Sequence, residues 1–302
     1  MEPPPSPNRH ANAEALSIYE SARRQPRKRI LLEPLLWTRL HLEILSCTFS
    51  QCGPAPPAMM HLPSTESAFR DASRQRLFER YFFGNRHLWV AKEGSIRGSL
   101  CLEPSPLSWR CDLYLHLGRH RSVLLPCHYY CVGDHIPVAA HVDRSRIVSQ
   151  RKKRVGPTTR RYNPPAVNLG KLQLKMVTPT ESLHDPYLVA LLIALGQLQW
   201  TALGPPKTQR AAGVTPKLMF STEDCNFMYI YSANISSSLI NMFDNPAMKP
   251  SAPGPLTVQI NTIPYRPVET FRGRLLALLL SATCSEDVDK SGNLIVYGYS
   301  CT

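Results

Sequence analysis

Eight residues able to bind a transition metal fall within 31 positions in the middle of this chain: Cys111, His116, His120, Cys127, His128, Cys131, His135 and His141. Thiolate and imidazole are natural ligands of Zn²⁺, and four of them in a tetrahedral array can organise a loop-rich segment. Cys127-x3-Cys131-x3-His135 has tolerable spacing, and with Cys111 it makes the candidate set for a structural zinc. Tight Cys-x2-Cys knuckles are absent, so the simpler expectation is that Cys127 and Cys131 pack as small apolar groups while the histidines face solvent. No cofactor other than this zinc is suggested by any motif.

A second group is acidic: Glu223, Asp224, Glu269, Glu286, Asp287 and Asp289. A metal-dependent nuclease or phosphodiesterase places carboxylates at strand ends beside a lysine, to hold Mg²⁺ and polarise a phosphate. The chain has no Glu-x-Lys tripeptide, and Glu223-Asp224 reads better as a turn, with Glu269 as a charge at a helix start. The motifs of serine hydrolases, phosphate loops, dinucleotide folds and zinc proteases are all missing. Aromatic alternation at Phe227, Tyr229 and Tyr231 suits base stacking, but one face of a strand explains it more simply.

The third group is basic. Arg23-Arg24-Gln25-Pro26-Arg27-Lys28-Arg29 holds five cations in seven residues, and 144–161 holds eight in eighteen with no acid. The core of the second run, Arg151-Lys152-Lys153-Arg154, is the candidate for nuclear import or anion binding. Import ranks above nucleic-acid binding, since it needs only an exposed run and no recognition motif accompanies the cations.

These runs explain an uneven charge. Residues 1–170 carry 25 Lys/Arg against 13 Asp/Glu, and 171–302 carry 10 against 9. A pI near 9.5 points to an acidic partner, whether nucleic acid, an anionic membrane surface or an acidic protein. The longest strongly apolar run, Tyr187 to Leu195, falls short of the ~20 residues that cross a bilayer, so no membrane span is expected. The start of the chain has no secretory h-region. Nine cysteines, with nothing pointing to oxidation, read as reduced thiols in a nuclear or cytoplasmic setting.

The elements that must position these groups are clearest in the second half. Asp185 caps a helix over 187–199 with Pro186 in its first turn. Strands are expected at 217–220, 227–233, 256–263 and 294–299, with helices after Ser236 and Pro267. In the first half, helices are expected from about Pro34 to Cys47 and from Ser64 to about Tyr81, the latter with Phe69, Leu77, Phe78 and Tyr81 on one side. Residues 52–57 read as a break. From 88 to 142 the pattern turns strand-like, best at 99–102 and 112–117.

The expected fold class is therefore α+β: a small sheet with packed helices in the C-terminal half, behind an N-terminal half that is poorly specified and partly disordered. The division reads as 1–60 basic and proline-rich, 61–143 mixed helix and strand, 144–165 a basic linker, and 166–302 an α+β module.

One resemblance adds to this. Pro186 to Leu195, Met228 to Ala233, Phe243-Asp244 and Ile263 to Leu275 together resemble a group of uncharacterised proteins from filamentous fungi, over roughly the last 120 residues. That group has no assigned activity, so no site residue is carried over. The resemblance implies a fungal, intracellular protein, possible association with a secondary-metabolite gene cluster included. The leading expectation is a non-enzymatic interaction module with an unknown protein partner. The competing one is an enzyme, a metal-dependent phosphodiesterase or another hydrolase, which a concave site joining Asp224, Glu269 and a basic residue would favour.

Overall fold

A computed structural model describes residues 16–26, 30–55, 68–84, 88–101, 105–133, 136–156, 163–204, 213–249 and 254–281. The first part contains α1 (Ile18–Arg24), a 3-10 turn (Pro34–Leu36), α2 (Arg39–Ile44), β1 (Cys47–Pro54), α3 (Ala68–Phe83) and α4 (Trp89–Cys101). There follow β2 (Leu107–Arg110), β3 (Leu113–Leu117), β4 (Arg121–Leu125), β5 (His128–Val132), β6 (Ile136–Asp143), α5 (Arg144–Val155) and α6 (Pro164–Val177). The rest is α7 (Pro186–Leu203), β7 (Gly213–Val214), β8 (Lys217–Ser221), β9 (Phe227–Ala233), β10 (Ile235–Ser236), α8 (Ser237–Asp244), β11 (Leu256–Pro264) and α9 (Val268–Leu280).

The fold is α+β. Among the described residues its main sheet has seven strands in the order β1-β11-β9-β8-β6-β5-β2. Two neighbours are parallel, β1 with β11 and β6 with β8, and the others are antiparallel. Period-two alternation divides the strands between two cores. Leu218, Phe220 and Tyr231 face one side, and Met219, Met228 and Ile230 face the other.

The first face is covered by α7, which begins as the sequence predicts: Asp185 Oδ1 accepts from Tyr187 N at 2.9 Å, and Pro186 opens the helix. Leu188 to Leu195 are fully enclosed. By length and composition this is the one helix among the described residues apolar enough to cross a membrane, yet 72% of its apolar window is buried in the fold. The β3–β4 hairpin lies against it, tied by Gln197, which exchanges two 3.0 Å hydrogen bonds with the backbone of His116. The second face packs α3, α4 and α9, with Phe78, Phe82, Tyr265 and Phe271 in mutual ring contact.

Several expectations for the first half need correction. Residues 47–54 are an extended edge strand, because pairing with β11 outweighs the local break signal of Gly53-Pro54, and an edge tolerates proline. Residues 89–101 are helix, with Lys92 and Glu93 inside and Val90 outside, an inversion that hides the helical period. Among the described side chains of α3, Phe78 and Phe82 turn inward while Leu77 and Tyr81 are exposed; the side chain of Phe69 lies outside the described ones. The described parts of 144–165 are not an extended linker: Arg144–Val155 is α5, Pro164 opens α6, and β6 before them pairs with β8 after them. The expected strand at 294–299 lies outside the described residues.

Candidate functional site

Arg151 is 1% exposed. Its guanidinium makes two parallel bonds to Asp185, of 2.6 and 2.7 Å, and its Nε donates to Leu35 O at 2.9 Å. It is a core residue, which corrects its place in an exposed basic run. Arg154 pairs with Glu33, Arg144 with Glu223 at 2.7 Å and Arg146 with Glu93 at 2.5 Å. Only Lys152 and Lys153 of the four-residue candidate are exposed without an acidic partner among the described residues.

Of the zinc candidates, Cys111 is exposed, and Cys127 and Cys131 are buried on β5 or just before it. Burial pushes the Cys127 thiol up to about 12. His135 lies outside the described residues. Among the described residues no three His, Cys, Asp or Glu side chains converge as a metal group. The acidic candidates have local roles. Asp224 Oδ1 accepts from Asn226 N at 3.0 Å in a turn, and Glu269, in the first turn of α9, accepts from Gln75 at 2.7 Å. Glu286, Asp287 and Asp289 lie outside the described residues. Tyr231 is enclosed, its hydroxyl donating to Leu183 O at 2.9 Å.

A buried polar network that the sequence did not suggest lies where the parallel strands β6 and β8 end. Asp143 and Ser221 are register partners there, and Ser221 Oγ donates to Asp143 Oδ2 at 2.8 Å. With its proton committed, Ser221 accepts from His141 Nε2 at 3.1 Å. Lys92 Nζ donates to Thr222 O at 2.6 Å and stands 3.7 Å from Asp143. Asp143 also caps α5 through Ser145 N at 2.9 Å. Burial holds the His141 imidazole at about 3, so it is neutral at ordinary pH.

This arrangement runs opposite to nucleophile activation. An activated serine gives its proton to histidine, whereas here the serine proton goes to aspartate. Ser221 and His141 are also fully enclosed. The network therefore joins β6, β8, α4 and α5 without presenting a nucleophile. Toward the surface it continues through Glu93, Arg146 and His128, flanked by Arg146 over Trp89 at 4.8 Å and Arg97 over Trp109 at 4.6 Å. Glu93 Oε1, His128 Nδ1 and His141 Nδ1 find no hydrogen-bond partner among the described residues.

On the opposite face of the sheet an apolar cleft, about 550 Å³ when the open solvent at its mouth is included, lies between the 30–45 segment, the β3–β4 hairpin and α8. Trp37, Ile44, Leu117, Val123 and Phe243 form its wall. Its polar groups are already occupied by backbone. Trp37 stacks on His41 at 5.3 Å and donates to Leu32 O at 3.3 Å. His41 Nδ1 accepts from Thr38 N at 3.0 Å, and Nε2 donates to Ile30 O at 3.1 Å. Arg121, at the exposed rim, donates to Leu31 O at 3.2 Å. The cleft can hold an apolar group, and the described residues that line it include no carboxylate.

Sequence reasoning missed both features for identifiable reasons. Asp143 followed by Arg144-Ser145 is a helix-start signature, but the basic run masked it. The wall of the cleft combines three separate elements whose approach no local pattern encodes. Compared with protein-family models and with curated proteins, this chain matches none.

Proposed function

We propose that this chain is an intracellular, non-enzymatic interaction module whose apolar cleft receives apolar side chains of a partner protein. The observation that carries this reading is the chemistry of the cleft: Trp37 and His41 have their ring nitrogens bonded to backbone, while Trp, Leu, Val and Phe side chains line it. The resemblance to uncharacterised proteins of filamentous fungi supports a fungal setting, and with it an association with a secondary-metabolite gene cluster.

The test is affinity purification of the tagged full chain from its own organism, alongside a Leu117→Gln/Val123→Gln variant. Both positions are half-buried, so the variant is expected to fold, with circular dichroism as the check. Partners lost selectively from the variant support the reading. An identical partner set on both proteins overturns it.

A second reading, a hydrolase acting beside Glu93 and His128, is favoured by His128 Nδ1 lying 3.8 Å from Glu93 Oε2, with neither His128 Nδ1 nor Glu93 Oε1 hydrogen-bonded among the described residues. Turnover of ester or phosphodiester substrates that disappears in Glu93→Gln would establish it, and no turnover in either protein would remove it.

A further inference from the structure

Helices α5 and α6 carry charge of one sign. Together they hold eight Lys/Arg, six on α5 and two on α6, and no Asp or Glu. The four arginines are committed to Glu223, Glu93, Asp185 and Glu33. Four lysines remain exposed, Lys152 and Lys153 on α5 and Lys171 and Lys175 on α6, with no acidic partner among the described residues.

Among the described residues α6 is covered on one side only. Gly170 approaches α5 so closely that a Cβ there would lie 2.7 Å from Val155 O. Val167, Leu174 and Val177 share that face by helical spacing and are half-buried. Leu169, Leu172 and Met176 follow the same spacing on the far side, and are 57%, 62% and 75% exposed. Lys171 and Lys175 border this second apolar stripe on the helical surface.

We propose that the outer stripe of α6 and the lysines beside it form a docking surface for an anionic lipid bilayer. Leu169, Leu172 and Met176 enter the headgroup layer, and the lysines meet lipid phosphates and carboxylates. Charge complementarity decides the sign of the partner, since two helices without a carboxylate attract only anions. The apolar stripe decides its class: nucleic acid satisfies the lysines but leaves Leu169, Leu172 and Met176 in water, whereas a bilayer surface satisfies both. Attachment is peripheral, because the 14 residues of α6 cannot cross a membrane. The surface shares no residue with the apolar cleft, so it stands or falls separately from the proposed partner site.

Flotation of the full chain with phosphatidylcholine vesicles, with and without phosphatidylserine, tests this. Recovery is expected only with phosphatidylserine, and should fall as salt is raised. Leu169→Ser/Leu172→Ser/Met176→Ser should lose about tenfold or more in vesicle affinity, since each apolar side chain removed forfeits its transfer into the interface. Lys171→Gln and Lys175→Gln should each lose about fivefold. All five positions are exposed, and unchanged melting confirms folding; if the serine variant fails that check, the lysine pair carries the test. No recovery on phosphatidylserine overturns the proposal, as does recovery indifferent to these substitutions. Binding to duplex DNA that survives the serine substitutions also overturns it, as does self-association that the serine substitutions abolish without any vesicle binding.

Discussion

Arg151 and Asp185 lie 34 positions apart and meet through two parallel hydrogen bonds inside the molecule. The same carboxylate caps α7, and the same guanidinium holds the carbonyl of Leu35. One ion pair therefore ties α5, the core helix α7 and the 3-10 turn ahead of α2. A cation that reads as part of an exposed basic run is here a support of the first core.

Removing one partner of a buried pair leaves the other charge uncompensated, at a cost of about 3–5 kcal/mol. Arg151→Ala should therefore lower urea-unfolding stability by that order, whereas Lys152→Ala, one residue along and exposed, should change it by less than about 0.5 kcal/mol. Equal effects of the two substitutions would show that the Arg151–Asp185 pair does not bear on the core.

The buried His141 makes stability depend on acid. Its folded-state value is about 3, below the unfolded value near 6.5. Between these values the unfolded chain takes up a proton that the folded chain excludes, so stability is full above about 6.5 and is lost as pH falls toward 3. The slope from this group approaches about 1.4 kcal/mol per pH unit. Urea titrations at pH 7 and pH 5 should show a smaller pH difference in His141→Phe than in the parent chain. His41 and His128, also depressed by burial, add to the dependence in the same sense, and Glu93, raised by burial, opposes it.

The second half was legible because its signals are local and agree with its burial. Asp185-Pro186, the apolar run of α7, and the strands 217–220 and 227–233 each announce themselves within a dozen residues. The first half was not, because its elements are decided by distant partners. Lys92 is inside only because Thr222 and Asp143 receive it, and 47–54 is extended only because β11 lies alongside. For the candidate site the same division holds. The residue types around 111–141 were visible, but which of them turn inward depends on pairing with β6 and on the hairpin packed against α7.

Thiol chemistry separates the cysteines of the zinc candidate set. Cys111 is exposed, and Cys127 is enclosed with its thiol pushed up to about 12 by burial. A thiolate at Cys127 would have to form against that burial before binding zinc. Native-state labelling with a disulfide reagent should modify Cys111 rapidly and Cys127 only on unfolding. Elemental analysis of protein purified without added metal should give well under one zinc per chain. One tightly held zinc, with Cys111 protected until a chelator is added, would instead assign the set Cys111, Cys127, Cys131 and His135 as its ligands.

Gly170 controls how α6 is presented. The backbone of Val155 and Gly156 occupies the place a side chain would need, with Val155 O 2.7 Å from a built Cβ. Backbone cannot swing aside as a side-chain end can, so Gly170→Val should force α6 away from α5. The gain in helix propensity over glycine, a few tenths of a kcal/mol for valine, is too small to offset an overpacking cost of about 1–3 kcal/mol. Hydrogen exchange should then accelerate across 164–177 while α7 and β8 stay protected, because the atoms nearest this position belong to Val155 and Gly156, which are in neither main core. Because the outer stripe depends on α6 remaining helical and held at α5, the same variant should also float less well with phosphatidylserine vesicles. Unchanged exchange in α6 would mean that the two helices are not packed as closely as Gly170 requires.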